Sequence, residues 1–96
     1  MFDGLVFEWD ENKNLENIRK HGVSFEEARE VFFDIGNVIH NDDEHSCDEK
    51  RFFCITRCKN DILTVRFTVR EGRTRIIGAG FWRKGRRIYE KESCLY

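Results

Sequence analysis

The sequence contains no proline and no long apolar run. Without proline, a cis-proline turn is excluded. Without a run of about 18 apolar residues, a membrane-spanning helix is not expected. Met1–Glu8 shows neither a basic leader nor a long apolar segment, so we expect no signal peptide. These absences favour a cytoplasmic protein whose 96 residues form a single domain over 1–96.

The cysteines are not spaced as in a zinc site, since the sequence has no C-x2-C pair. A cytoplasmic protein is not expected to hold disulfides. His40, His45 and Cys47 lie close together, which is only weakly zinc-like. Cys54 falls in a strand pattern, where cysteine is usually a small buried apolar residue. We therefore predict no metal site and no cofactor. The four cysteines are Cys47, Cys54, Cys58 and Cys94.

The net charge is only −1, but the charges are segregated along the chain. Residues 1–61 hold 8 basic and 15 acidic side chains, whereas residues 62–91 hold 9 basic and 2 acidic ones. This asymmetry indicates a polyanion or an acidic partner for the second half. The alternative is a solvated basic half that only balances a solvated acidic half.

The stretch from Ile62 to Trp82 predicts a β-hairpin. Apolar and polar residues alternate from Leu63 to Val69, which is the period of a half-buried strand. Glu71-Gly72 fits a two-residue turn. This turn would place several basic side chains on one face of the sheet, where like charges are destabilising, so the pattern indicates an anionic ligand. These side chains are Arg66, Arg70, Arg73 and Arg75.

Two helices are predicted before the hairpin. Asp10 caps a helix over residues 11–21 that ends at Gly22. Only Leu15 and Ile18 give this helix an apolar face, which indicates a surface helix. A capping box at Ser24 begins the second helix, which ends near residues 34–37. Its apolar residues at helical spacing are Ala28, Val31, Phe32 and Ile35.

Short strands are predicted at residues 5–9, 37–41 and 51–57, with an acidic loop over Asp42–Glu49. A C-terminal helix is predicted at residues 88–92. The order β-α-α-β-β-β-β-α predicts an α+β fold, in which helices pack against an antiparallel sheet.

Several short motifs run through nearly the whole chain. They are Phe7-Glu-Trp-Asp10, Asn17, Lys20-His-Gly-Val-Ser-Phe-Glu-Glu-Ala28, Val31-Phe32, His45-Ser46, Glu49, Arg51, Arg70, Arg75-Ile-Ile77 and Tyr89-Glu90. With these motifs the chain resembles the BrnT family, the toxins of type II toxin–antitoxin pairs. The resemblance implies a RelE-like ribonuclease fold and an mRNA-cleaving, growth-arresting enzyme that works without a metal.

The resemblance also implies a partner, and the sequence differs from the family pattern at one position. The partner is a ribbon-helix-helix antitoxin, similar to BrnA, and both a homodimer and a toxin–antitoxin hetero-oligomer stay open. The family typically has Ile-Ser-Ala-Arg before its last helix, but here the arginine position is Gly80. Arg83 and Lys84 are the candidates to replace that arginine.

Metal-free RNA cleavage needs a base for the 2′-hydroxyl, cations for the pentacovalent phosphorane and an acid for the leaving 5′-oxygen. We assign the scissile phosphate to Arg70 and Arg75, because an arginine fork binds phosphate oxygens two at a time. Arg83 or Lys84 would supply a second cation or the acid. Flanking phosphates and other RNA contacts are assigned to Arg51, Arg66, Arg73, Arg86 and Arg87.

The base stays open among Glu71, Tyr89 and His45, since a lone surface histidine usually has no role and a tyrosine usually packs in a core. Phe81 and Trp82 either stack on a nucleobase or tuck under the last helix. The alternative function is a weakened or inactive member that binds an antitoxin or RNA. A small metal-binding domain is the third interpretation, and it would require stoichiometric zinc.

Overall fold

The computed structural model describes residues 5–93, which form a five-stranded sheet with helices packed against it. The chain order confirms the predicted α+β arrangement. The strands are β1 (Phe7–Glu8), β2 (Val38–Asn41), β3 (Arg51–Cys58), β4 (Asp61–Arg70) and β5 (Arg73–Gly80). The helices are α1 (Glu11–His21), α2 (Phe25–Arg29) and α3 (Arg83–Ser93), and short 3-10 helices span Glu30–Phe33 and Asp43–His45.

The strands lie side by side in the order β1-β5-β4-β3-β2. Strands β2 to β5 pair antiparallel as predicted, whereas β1 pairs parallel to β5, so the sheet is mixed. The difference arises at this one edge because two helices carry the chain away from β1 before the antiparallel strands begin. Likeness to RelE stays a prediction. No helix within residues 5–93 is long and apolar enough to cross a bilayer.

The β4–β5 hairpin has the predicted register, with Arg70 opposite Arg73. Glu71 and Gly72 have φ angles of 50° and 77°, the positive values that a two-residue type I′ turn requires. An irregularity between Arg66 and Phe67 leaves Ile77 as an extra residue of β5, so Arg66 lies opposite Gly78.

One face of the sheet carries the main apolar core. Val65 and Ile76 of the sheet are almost wholly buried there, together with Phe25 of α2. The Phe32 ring meets the Phe67 ring edge-on at 4.9 Å between centroids. This face follows the alternation predicted for β4.

Helix α1 buries asparagines rather than its apolar residues. Leu15 and Ile18 are 56 % and 42 % exposed, so the predicted core face of this helix is wrong. Asn17 donates to the carbonyls of Val23 and Ala79, both at 2.9 Å, and accepts from the Ala79 amide. Asn14 accepts from the Phe25 amide at 2.7 Å. The amides face inward because they pair buried backbone groups that would otherwise stay unsatisfied.

The second helix begins as predicted, because both hydrogen bonds of the Ser24–Glu27 capping box are present. The α-helix ends at Arg29 and a 3-10 helix continues to Phe33. Ala28, Val31 and Phe32 are buried as predicted, but Ile35 is fully exposed because the helix stops before it.

Helix α3 begins at Arg83, five residues before the predicted start. Within this helix Arg86 pairs with Glu90 one turn later, at 3.6 Å. Cys54 is fully buried, as predicted, and burial raises the pKa of its thiol to about 12. Cys47, Cys54 and Cys58 are free thiols, and Cys94 lies outside the described residues.

Candidate functional site

The second face of the sheet, here the basic face, divides into two halves. In the covered half, Phe53, Ile55 and Ile62 pack with Ile88 and Tyr89 of α3. Gly85 permits the close approach, because a Cβ at that position would lie 1.6 Å from Thr64 Oγ1. The open half carries Arg51, Arg66, Arg70, Arg73 and Arg75.

Carboxylates of the same chain hold the arginines of the open half. Glu49 accepts two hydrogen bonds from Arg70, at 2.9 and 2.8 Å, and lies 3.9 Å from Arg51. The Arg70 guanidinium lowers the pKa of Glu49 below its usual value. On the other side, Glu8 lies 3.2 Å from Arg75 and 3.7 Å from Arg73. Each glutamate is shared by two arginines, so the open half keeps an excess of positive charge.

Asp42 is the buried centre of this region, with 0 % of its surface exposed. Both of its carboxylate oxygens lie 3.0 Å from His45 Nδ1. Arg66 Nε lies 2.9 Å from Asp42 Oδ2, although its N–H is not directed along a hydrogen bond. The Asp42 amide donates to the Arg51 carbonyl at 2.8 Å, which fixes the loop to β3.

The contact with Asp42 defines the state of the His45 ring. An ionised carboxylate only accepts hydrogen bonds, so Nδ1 must carry the proton that it donates. In the neutral ring Nε2 is then the nitrogen with the lone pair. Within residues 5–93 no group hydrogen-bonds to Nε2, and the His45 side chain is 43 % exposed. The histidine is therefore set up to accept a proton from a ligand.

A cleft of about 610 Å³ lies beside this histidine. It combines an oriented imidazole, two guanidinium groups and three carboxylates, one of which, Glu49, holds both arginines. Its size admits a phosphate group together with part of a nucleotide. The residues that line it are Glu44, His45, Cys47, Asp48, Glu49, Arg51 and Arg70.

Arg66 and Lys84 lie next to the cleft and share one aromatic ring. The Arg66 guanidinium is 5.6 Å from the Phe53 centroid and 5.3 Å from the Trp82 centroid. Lys84 Nζ lies 5.6 Å from the Phe53 centroid and 3.0 Å from Glu44 Oε1. The Lys84 ammonium lowers the pKa of Glu44. Helix α3 thus contributes a cation that is paired with Glu44, a residue that lines the cleft.

Gly80 and Trp82 form a coupled pair. A Cβ at Gly80 would lie 2.4 Å from Trp82 Nε1 and 2.6 Å from Cε2. The indole thus lies against the position where the family arginine is expected. Trp82 also meets the His21 ring edge-on at 5.6 Å. These contacts place Trp82 against α1 and β5, and both interpretations of Trp82 stay predictions.

The structure brings together only some of the predicted site residues. Arg70 and Arg51 line the cleft, Lys84 and Arg66 border it, and Arg73 and Arg75 lie along the same face. Arg83 is exposed at the start of α3. Arg86 binds Asp61 at 2.7 Å, at the opposite end of β4 from Arg70, and Arg87 lines a separate groove with His40.

The three base candidates also separate. Glu71 is exposed in the hairpin turn and Tyr89 packs in the covered half, whereas His45 lies in the cleft. Sequence reasoning missed Asp42 as the partner of His45. The signal was their spacing of three residues, which a 3-10 turn places face to face.

A cation could be held by this loop only at the expense of an existing contact. Asp42, Glu44 and His45 each offer one ligand atom, and these atoms lie within 4.8 Å of one another. Asp42 already contacts both His45 and Arg66, and Glu44 already holds Lys84. The arrangement therefore fits an ion-paired cluster in which His45 is oriented by a carboxylate.

Comparison with known families gives one result. Residues 9–85 match the model of the ribonuclease toxin BrnT of type II toxin–antitoxin systems. The match spans α1, α2, the whole β4–β5 hairpin and the loop that carries Asp42 and His45. No individual curated protein matches the chain. The chain therefore belongs to the BrnT family, the ribonuclease toxins of type II toxin–antitoxin systems.

Proposed function

We propose that this protein is a metal-independent endoribonuclease whose active site is the cleft at His45, Arg51 and Arg70. The observation that carries the proposal is the His45 ring, oriented by a buried carboxylate beside two arginines. Family membership supplies RNA as the substrate. The cleft supplies the two functions that phosphodiester cleavage most needs, a proton acceptor and a phosphate clamp.

The reaction follows from these groups. The phosphate displaces Glu49 from Arg70 and binds Arg70 and Arg51. The buried Nε of Arg51 has no hydrogen-bond partner within residues 5–93. His45 Nε2 takes the proton of the 2′-hydroxyl, and the 2′-oxygen attacks phosphorus. The bond from phosphorus to the 5′-oxygen breaks, which leaves a 2′,3′-cyclic phosphate. Charge on the phosphorane is stabilised by the guanidinium groups, which remain cationic throughout.

The leaving 5′-oxygen needs a proton from a second group. We assign that role to Lys84. Its ammonium donates to Glu44, which directly precedes His45 in the sequence and lines the cleft. Arg75 and Arg73 lie on the same sheet face and would bind the flanking phosphates. This assignment replaces the family arginine at position 80 by a cation from α3.

The experiment is cleavage of a defined single-stranded RNA by the purified protein in excess chelator. We expect new ends that carry 2′,3′-cyclic phosphate and 5′-hydroxyl groups. H45A should lower the cleavage rate by about 10²- to 10⁴-fold, the usual contribution of a general acid or base. H40A is the matched control, because His40 lies on β2 outside the cleft. Wild-type rates in H45A, or activity that appears only with an added divalent metal, would contradict the proposal.

We further propose that the partner is a ribbon-helix-helix antitoxin. The family pairs the toxin with an antitoxin, and the excess positive charge of the open half suits an acidic segment. Induced expression in a bacterial host, with and without the neighbouring small gene, tests the pairing. We expect growth arrest only without the neighbour, and copurification of the two proteins with it.

The second candidate function is an inactive toxin that only binds its antitoxin or RNA. It is favoured by one observation, the Trp82 indole packed where a side chain at position 80 would have to pass. This alternative predicts tight antitoxin binding, normal growth at confirmed soluble expression and intact RNA. The first experiment therefore separates the two functions.

A further inference from the structure

We infer that Asp42 is the positioning residue of the site, which fixes the reactive tautomer of His45 and anchors Arg66 at the same time. The inference rests on the proposed function, because it assigns a task to His45 that only catalysis requires. Asp42 does not line the cleft and so acts through the side chains that it holds. Its contribution is therefore to orientation and not to substrate contact.

The burial of Asp42 supports this role. A carboxylate with none of its surface exposed is costly unless cations and donors surround it. Here its oxygens meet His45 Nδ1 at 3.0 Å and Arg66 Nε at 2.9 Å. The carboxylate thus also orients a histidine that is 43 % exposed.

The backbone around Asp42 keeps the carboxylate in place. Its amide donates to the Arg51 carbonyl at 2.8 Å, and Ser46 Oγ donates to the Asp42 carbonyl at 2.7 Å. Ser46 Oγ also accepts from the Arg51 amide at 2.9 Å. The loop is thus joined to the strand that carries a clamp arginine, so His45 and Arg51 keep a fixed relation. Such orientation matters because a displacement of about 1 Å in an active site costs on the order of 100-fold in rate.

Arg66 is the second group that Asp42 holds. Its guanidinium lies between the Phe53 and Trp82 rings, 5.6 and 5.3 Å from their centroids. Without the carboxylate, a partly buried cation on this face would lose its partner. Through Arg66, Asp42 thereby links the proton acceptor to Trp82, which lies against the position where the family arginine is expected.

The test uses ¹⁵N-labelled full-length protein and two-bond proton–nitrogen spectra of the histidine rings at mildly alkaline pH. We expect the His45 ring of the wild type to carry its proton on Nδ1. In D42N the amide can donate or accept, so both tautomers should appear, and kcat should fall on the order of 100-fold with KM nearly unchanged. D43N is the matched control, because it removes a charge from an exposed neighbour in the same loop.

Three outcomes would overturn the inference, and a fourth would overturn the proposed function. A wild-type ring protonated on Nε2 overturns it, and this result requires no variant to fold. A D42N protein with the wild-type tautomer and kcat also overturns it, while inactivity of H45A in the same assay keeps the proposed function intact. If H45A cleaves RNA at the wild-type rate, the proposed function itself fails. A D42N loss that D43N reproduces would indicate loop charge and not positioning.

Discussion

The two halves of the basic face share strands but have opposite chemistry. Where α3 crosses the sheet, Phe53, Ile55 and Ile62 form a small apolar core. Beyond the helix the sheet carries five arginines, which share three carboxylates from β1 and the acidic loop. The covered half is explained by burial of apolar surface. The open half gains no such apolar burial, and its arginines are held instead by half-buried or buried carboxylates.

This difference separates residues that maintain the fold from residues that serve a ligand. Changes in the covered half should lower stability with little direct effect on RNA. Changes in the open half should alter RNA cleavage or binding with little effect on stability.

The largest effect is expected when the clamp is removed. R51A/R70A eliminates both guanidinium groups that line the cleft, and cleavage should fall by at least about 100-fold, since one lost transition-state donor alone costs that much. The slope of log affinity against log salt should fall by about 1.4, because each single-strand phosphate contact contributes about 0.7. Single-turnover cleavage and RNA-binding titrations at several salt concentrations measure both effects.

R57A is the matched control for the clamp. Arg57 is exposed near the end of β3 that lies away from Arg51. Equal losses in R57A and R51A/R70A would show a general charge effect and would remove the distinction between the two halves. Thermal unfolding of all variants should give nearly the same midpoint.

The covered half is tested by G85A. Alanine normally stabilises an exposed helix position by about 1 kcal/mol relative to glycine. Here the added Cβ would lie 1.6 Å from Thr64 Oγ1, so α3 must move off the sheet. We expect a loss of about 2 kcal/mol in unfolding free energy, in the range found for overpacked cores. Denaturant unfolding measures it.

G36A supplies the comparison for that change. A Cβ at Gly36 would meet only Asp34 Oδ1, at 3.9 Å. Its effect should lie within about 0.5 kcal/mol, as for most surface substitutions. If both alanine variants are equally stable, α3 is not seated on Thr64.

The Gly80–Trp82 pair sits where the two halves meet. G80A and W82A should each destabilise, but the double variant should be more stable than their sum predicts by about 1 kcal/mol, because the clash needs both side chains. G80R, which restores the family arginine, should unfold more easily alone than when it is combined with W82A. Urea unfolding of the wild type, G80A, W82A and G80A/W82A measures the coupling free energy between the two positions. Additive effects would mean that the ring does not pack on Gly80.

Local sequence patterns predicted the scaffold well. The alternation in β4 gave the two faces and Glu71-Gly72 gave the hairpin register, because both signals depend on neighbouring residues. The capping box of α2 is equally local and was also confirmed. The buried face of α1 was wrong, because Asn14 and Asn17 bond to backbone groups that only the tertiary fold brings near.

The site was predictable only in part for the same reason. The arginines of the open half follow from strand parity, and the structure places them on one face as predicted. The carboxylates that hold them come from β1 and from the acidic loop, up to 67 residues away in sequence. The pairing of Asp42 with His45 depends on a 3-10 turn that no apolar pattern marks. Ion pairs between distant segments therefore cannot be predicted from the pattern of one segment at a time.

The smallest effect is expected at Glu49, the carboxylate that would compete with RNA for Arg70 and Arg51. E49Q removes the charge that holds Arg70 and Arg51, so RNA should bind about two- to fivefold more tightly, the equivalent of one exposed ion pair. Arg70 lowers the pKa of Glu49, so this ion pair favours the folded state above the unfolded value near 4.3 and is lost as pH falls through the lower folded value. E49Q should therefore also reduce the acid dependence of stability. E71Q, which changes the same charge in the exposed hairpin turn, should change neither, and weaker RNA binding by E49Q would show that Glu49 assists the substrate and does not compete with it.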